Sequence, residues 1–306
     1  MGTPDFAVES LKILIENQYE VVGVVTMPDK PSGRGHKIQY SPIKQYALLH
    51  NLPILQPEKL KDEHFLNELQ KLNADLQIVV AFRMLPEVVW NMPRHGTFNL
   101  HASLLPQYRG AAPINWSIIN GECQTGVTSF FLTHEIDTGK IILQEKISIS
   151  ETDTAGTVHD RLMILGAALV KKTVDLLISG NTNAIDQSQF IQGDIAIKSA
   201  PKIFKETCQI DIQQSVINAY NFVRGLSPNP TAWIELTFPN QTESVILKVF
   251  SAEKEHISHN LALGAVLTDG KKYAKIALKD GFLHLISVQI SGKKRMEIGE
   301  LLRGLR

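Results

Sequence analysis

The sequence predicts an α/β chain: a doubly wound, mostly parallel, Rossmann-like sheet followed by a small all-β domain. Three observations carry that expectation. Between residues 20 and 101, short β-branched apolar runs alternate with segments of helical period, which is the βαβ pattern of a parallel sheet. A single long apolar stripe over 154–179 then marks a helix that can cover one face of the sheet. Beyond residue 210 the period changes, and five short apolar strands separated by turn residues point to a small barrel. The expected domains are 1–180 and 210–306, joined by a polar, irregular linker over 181–209.

In order, Phe6, Leu11, Leu14 and Ile15 recur at helical spacing after Pro4 and Asp5, so 4–17 is expected to be a helix. The run Val21-Val-Gly-Val-Val25 is too short and too β-branched for a helix and reads as a buried strand over 20–26. Pro28, Pro31, Gly33 and Gly35 exclude regular structure over 27–40, leaving a loop that carries Lys30, Arg34, His36 and Lys37. Helices follow at 41–50, 62–72 and 86–91, with strands at 53–55 and 76–81. No Gly-x-Gly-x-x-Gly follows any strand, which argues against a nicotinamide enzyme. Past the linker, a helix is expected over 212–225 and strands at 232–238, 245–252, 264–268, 273–277 and 282–290.

The polar residues that stand out lie on a strand predicted at 97–101. Side chains alternate along a strand, so Asn99 and His101 face the same way and Leu100 the other. Pro106 ends the pairing, and a turn at 110–113 leads into a helix. Ligands of open α/β sheets bind at such carboxyl strand ends. Asp137, after a second apolar strand over 127–132, can reach the same region. Taken alone, Asn99 and His101 are better explained as satisfying loop carbonyls.

Composition narrows the classes. Basic and acidic side chains balance at 31 each, but after residue 210 there are 12 basic against nine acidic, so the second half carries the excess of positive charge. The two cysteines, Cys123 and Cys208, have no metal-ligand spacing, and no apolar run is long enough to span a bilayer. A cytoplasmic protein without a metal is the expectation.

Asn99-Leu-His101, Ser103-Leu-Leu-Pro106, Arg109-Gly-Ala-Ala-Pro113 and Asp137-Thr-Gly139 together resemble the signature of the folate-dependent formyltransferases. Gly2-Thr-Pro-Asp-Phe6 and Gly33-Arg-Gly-His-Lys37 narrow the resemblance to members that act on initiator methionyl-tRNA. The resemblance implies 10-formyltetrahydrofolate as formyl donor, the α-amine of methionine as acceptor and an OB-like C-terminal barrel that touches RNA. It implies catalytic roles for Asn99, His101 and Asp137. Ser103, Leu104, Leu105 and Pro106 would wall the folate site, and Phe82, Met84 and Leu85 would line the pterin through backbone groups. Arg34 matches the principal tRNA contact, with His36 and Lys37 beside it; a solvated loop is the reading composition alone favours. Lys271, Lys272 and Lys293 are basic tips for the RNA backbone, although each lysine singly could serve only solubility. A monomer is expected.

The chemistry such a transfer needs is within reach of these residues. An amide donor can stabilise an oxyanion, an imidazole can carry charge and deliver a proton, and a carboxylate can support that imidazole and collect the proton the amine loses. Rival readings are formylation of a small amine, such as an amino-sugar nucleotide or glycinamide ribonucleotide, and a non-catalytic folate- or RNA-binding module. The resemblance also implies an apolar strand ahead of Gly2, placed centrally between 20–26 and 76–81. Its absence predicts unpaired backbone groups on both neighbours and an assigned start that is too late.

Overall fold

The computed structural model describes residues 1–32, 37–191, 196–239 and 241–305. Arg34 and His36 lie outside the described residues, and of Lys37 only the backbone is described. The chain divides into two compact units, one of residues 1–110, 125–147 and 159–199, the other of 111–124, 148–158 and 200–306.

The first unit is built on parallel pairing that turns antiparallel at one edge. Val24–Val25 runs parallel to Ile54–Leu55, and Gln77–Val80 runs parallel to Thr97–His101. The sheet continues through Gln124–Phe131, antiparallel to Thr97–His101, and then Ile141–Ser148. Helices Asp5–Glu16, Pro42–Leu49, Glu63–Lys71 and Glu87–Trp90 fall where the apolar spacing places them, each within a residue of the expected bounds. Ser41 and Asp62 start two of them by accepting from Lys44 N and Phe65 N, which satisfies N–H groups that have no intrahelical partner.

Expectation and structure part at two places: over 20–26 only Val24 and Val25 form a strand, and within 27–40, expected to lack regular structure, Lys30–Ser32 and Lys37–Gln39 pair antiparallel. Met1 and Gly2 stand between the two halves of the sheet: the Met1 amine donates to Ile78 O, Gly2 N donates to Val25 O and Val80 N donates to Met1 O. Alongside, residues 20–23 and 74–78 face a cavity of about 660 Å³. A strand is held by its ladder, and 20–23 have this cavity beside them instead. Burial pushes the Met1 amine down to about 5.

The long helix Ala155–Ile178 covers one face of the sheet with Leu162, Leu169, Val170, Val174 and Leu177 buried. Gly166 permits the close approach: a Cβ there would lie 2.8 Å from Leu100 Cδ2. Phe98 and Leu100 therefore point into this layer, and the alternation of the strand turns Asn99 and His101 to the opposite face.

In the second unit the strands Ala232–Leu236, Val245–His256, Gly281–Ile290, Ala274–Leu278 and Val266–Thr268 form, in that order, a curled antiparallel sheet resembling half a barrel. Its core includes Ile234, Leu247, Val249, Ile276, Leu283 and Leu285, packed against the helix Val216–Leu226. That helix starts later than the expected residue 212. Asp211 accepts from Gln213 N in a local turn, and Ser215 then caps the helix through Asn218 N. A short C-terminal helix, Ile298–Gly304, was not expected, and it buries Ile298, Leu301 and Leu302 in the same core.

Candidate active site

The strand Thr97–His101 ends where its register with Gln124–Phe131 places His101 opposite Thr128 and Asn99 opposite Phe130. Thr128 then organises the departing chain. Its hydroxyl donates to Ser103 O at 2.6 Å and accepts from Leu105 N at 3.2 Å, while Gln144 Nε2 donates to Leu105 O at 2.7 Å. The Ser103 hydroxyl donates to Gln107 O at 2.7 Å, so it serves to fold this loop. The loop thereby brings the Tyr108 carbonyl back onto His101.

His101 is 6% exposed, and its Nε2 lies 2.8 Å from Tyr108 O. A carbonyl only accepts, so Nε2 carries a proton, and Nδ1 is the nitrogen left to gain or lose one. Nδ1 is 3.7 Å from Asp137 Oδ2, and the same carboxylate oxygen accepts from Gly110 N at 2.9 Å. Asp137 adopts a left-handed backbone conformation, φ 56°, which aims its side chain inward from an exposed turn. Gly139 follows because a Cβ there would sit 1.7 Å from Phe131 O. Asn99 lies two residues before His101 on the same strand face, and its Oδ1 is buried with no hydrogen-bond partner among the described residues. A buried amide oxygen left unpaired costs about 1–3 kcal/mol, so its presence fits a site completed by a bound polar group.

The remaining expected residues are distributed differently. Leu105 is buried with Phe130 and Ile141, and Leu85 sits in the core of Val25, Leu60, Phe65 and Val79. Ser103 and Pro106 are buried, Leu104 and Phe82 half-buried, and Met84 is exposed. Lys271 and Lys272 project from a turn whose backbone N–H groups are gathered by Asp269, which holds that carboxyl below the usual range. Lys293 is also exposed. Lys275 is committed to Glu255 at 2.7 Å. Among the described residues no group of three or more His, Cys, Asp or Glu could hold a metal ion, and no helix is long and apolar enough to cross a membrane.

The family model described as formyl transferase matches residues 1–174, and that described as formyl transferase, C-terminal domain, matches 202–306. The chain is 62% identical over 307 residues to a methionyl-tRNA formyltransferase of Bacteroides thetaiotaomicron, covering all of this chain and 94% of that one. The chain belongs to the family of methionyl-tRNA formyltransferases. Another member, from Parabacteroides distasonis, is also 62% identical, with the same coverage. Among solved structures, an N-formyltransferase from Helicobacter canadensis, in complex with folinic acid and dTDP-3-aminofucose, superposes with a TM-score of 0.67 at 21% identity. It covers 94% of this chain and 97% of its own. A sugar 3N-formyltransferase, WlaRD, gives 0.66 at 20% identity, covering 96% and 97%. These two likenesses establish the fold.

Sequence reasoning missed the groups that orient the candidate site: the Tyr108 carbonyl, the Gly110 N–H, Thr128 and Gln144. Thr128 had a signal, a hydroxyl on an otherwise apolar strand. The backbone groups had none, because any residue type supplies them.

Proposed function

We propose that the chain transfers a formyl group from 10-formyltetrahydrofolate to the α-amine of methionine esterified to initiator tRNA, with Asn99, His101 and Asp137 as catalytic residues. Full-length identity of 62% to methionyl-tRNA formyltransferases carries this reading; the approach of His101 to Asp137, with Asn99 on the same strand face as His101, supports a mechanism for it. The donor supplies a formyl carbon on a nitrogen that must leave with a proton. The Asn99 amide N–H donates to the formyl oxygen as it gains negative charge, while its oxygen stays free to accept from a bound donor. His101, with Nε2 held by Tyr108 O, supports that charge and delivers a proton from Nδ1 to the departing nitrogen. The Asp137 carboxylate stabilises the imidazolium and takes up, directly or through a water, the proton the attacking amine sheds. These three groups supply the step without a metal ion.

The backbone N–H and carbonyl groups at Phe82, Met84 and Leu85 and the wall Ser103 to Pro106 are assigned to the folate. Arg34, His36, Lys37, Lys271, Lys272 and Lys293 are assigned to the RNA. Arginine pairs phosphates in a two-point fork, and flexible lysines add charge along a backbone. The protein would act in the cytoplasm, as a monomer. The test is a side-by-side assay with folate donor: formylation of charged initiator tRNA is expected. Transfer to an amino-sugar nucleotide with none to the tRNA would overturn the proposal.

A further inference from the structure

We infer that Gln187 is a positioning residue of the transfer reaction, fixing the loop that presents Asp137; this rests on the catalytic role proposed above for Asp137. Gln187 begins a short 3-10 helix, Gln187–Phe190, in the stretch expected to be a linker. The stretch is tied to the site's own sheet. Ile185 and Ile141 exchange both backbone hydrogen bonds at 2.8 Å, and Asp186 caps the 3-10 turn through Ser188 N and Oγ, which hold its carboxyl below the usual range. These anchors deliver the Gln187 side chain, 3% exposed, beneath the Asp137 turn.

There it uses its full hydrogen-bonding capacity. Nε2 donates to Asp137 O and to Gly139 O, both at 2.8 Å. Oε1 accepts from Arg109 Nε at 3.1 Å and Arg109 Nη2 at 2.6 Å. The carbonyls require donors and the guanidinium requires an acceptor, so this orientation of the amide is the one the chemistry permits. Arg109 adjoins Gly110, whose N–H binds the Asp137 carboxylate. One buried amide thus joins both walls of the Asp137 position: the turn that carries the carboxylate and the strand that caps it.

No other side chain offers the same set. Glutamate keeps the Arg109 contact but turns lone pairs on the two carbonyls, and methionine keeps length and apolar packing with no donor. Either change frees the Asp137 backbone, which is held at φ 56°, to relax away from the 3.7 Å contact with His101. Misplacement of a reacting group by about 1 Å can cost on the order of 100-fold in rate.

The experiment compares full-length wild type, Gln187→Met, Asp137→Asn and the double variant in formylation of initiator methionyl-tRNA, with kcat and KM measured separately. Gln187→Met is expected to lower kcat by about 10- to 100-fold with both KM values within about threefold, and to add little further loss in the Asp137→Asn background. Should Gln187→Met fail to fold by thermal melting, Gln187→Glu carries the same comparison. Wild-type kcat for the Gln187 variant, or a loss that multiplies fully with that of Asp137→Asn, overturns the positioning role while leaving Asp137 intact. Full activity of Asp137→Asn itself would overturn the catalytic reading beneath it.

Discussion

Of the histidine–carboxylate pairs in this chain, one in each unit stands out, and the two are built for opposite ends. In the curled sheet of the second unit, His284 Nε2 meets Glu255 Oε2 at 2.7 Å, Lys275 meets the same oxygen at 2.7 Å, and the side chains remain 16–36% exposed. Lys275 also lies over the Phe282 ring, so the cluster is paired on several sides. In the first unit, the side chains of His101 and Asp137 are 7% and 12% exposed and 3.7 Å apart, each oriented by a backbone group, and Asn99, on the same strand as His101, carries a buried oxygen without a partner among the described residues. A close, partly hydrated and saturated pair stabilises a surface. A buried pair held slightly apart keeps bonding capacity for something that arrives. The distinction lies in what remains unsatisfied rather than in residue type.

Substitutions should therefore separate the two pairs, most sharply at the buried one. His101→Ala is expected to lower kcat by about 10²- to 10⁴-fold, the range for losing a general acid–base group, and Asn99→Ala by about 10²- to 10³-fold. Tight-binding measurements should show methionyl-tRNA affinity little changed in both. Comparable loss of RNA affinity in either variant would move these residues from chemistry to binding.

Gly139→Ala comes next. The added Cβ would meet Phe131 O at 1.7 Å, so the Asp137 turn must shift, and kcat should fall about tenfold or more with only a modest drop in melting temperature. A variant with unchanged kcat would show that the turn tolerates displacement. Arg34→Ala should raise KM for methionyl-tRNA roughly tenfold with kcat nearly intact, as expected for one lost phosphate fork, and the effect should shrink as salt rises.

The smallest effect belongs to the exposed pair. Lys275 first, then His284, hold the Glu255 carboxyl below its ordinary range. A carboxyl whose folded value is depressed stabilises the fold above its unfolded value of about 4.3, and that contribution disappears as pH falls through the folded value. Glu255→Gln should thus lower the melting temperature slightly at neutral pH, with the gap to wild type closing below about pH 4 and formyl transfer unchanged. A large loss of transfer would mean the surface cluster contributes to the reaction.

How far the sequence could be read follows from the same physics. Helices with apolar stripes and strands in parallel alternation were legible because period and burial are written in residue type; Thr97–His101 matches its expected bounds at both ends. That Asn99 and His101 share one strand face was legible from strand alternation. The alignment of His101 with Asp137 was not, since it depends on main-chain groups at Tyr108 and Gly110 and on a glutamine 50 residues beyond Asp137. The strand expected at 20–26 shortened to Val24–Val25 because pairing belongs to two segments and no single-segment pattern reports its partner. The C-terminal helix was missed because seven residues with three buried positions give too brief a period to recognise.

The central claim is that the buried trio performs the transfer while the exposed pair does not. Single-turnover formylation of initiator methionyl-tRNA, with enzyme and folate donor in excess, tests it most directly across wild type, Asp137→Asn and Glu255→Gln. The account predicts that Asp137→Asn slows the chemical step by about 100-fold or more while Glu255→Gln matches wild type. Equal rates for Asp137→Asn and wild type would contradict it.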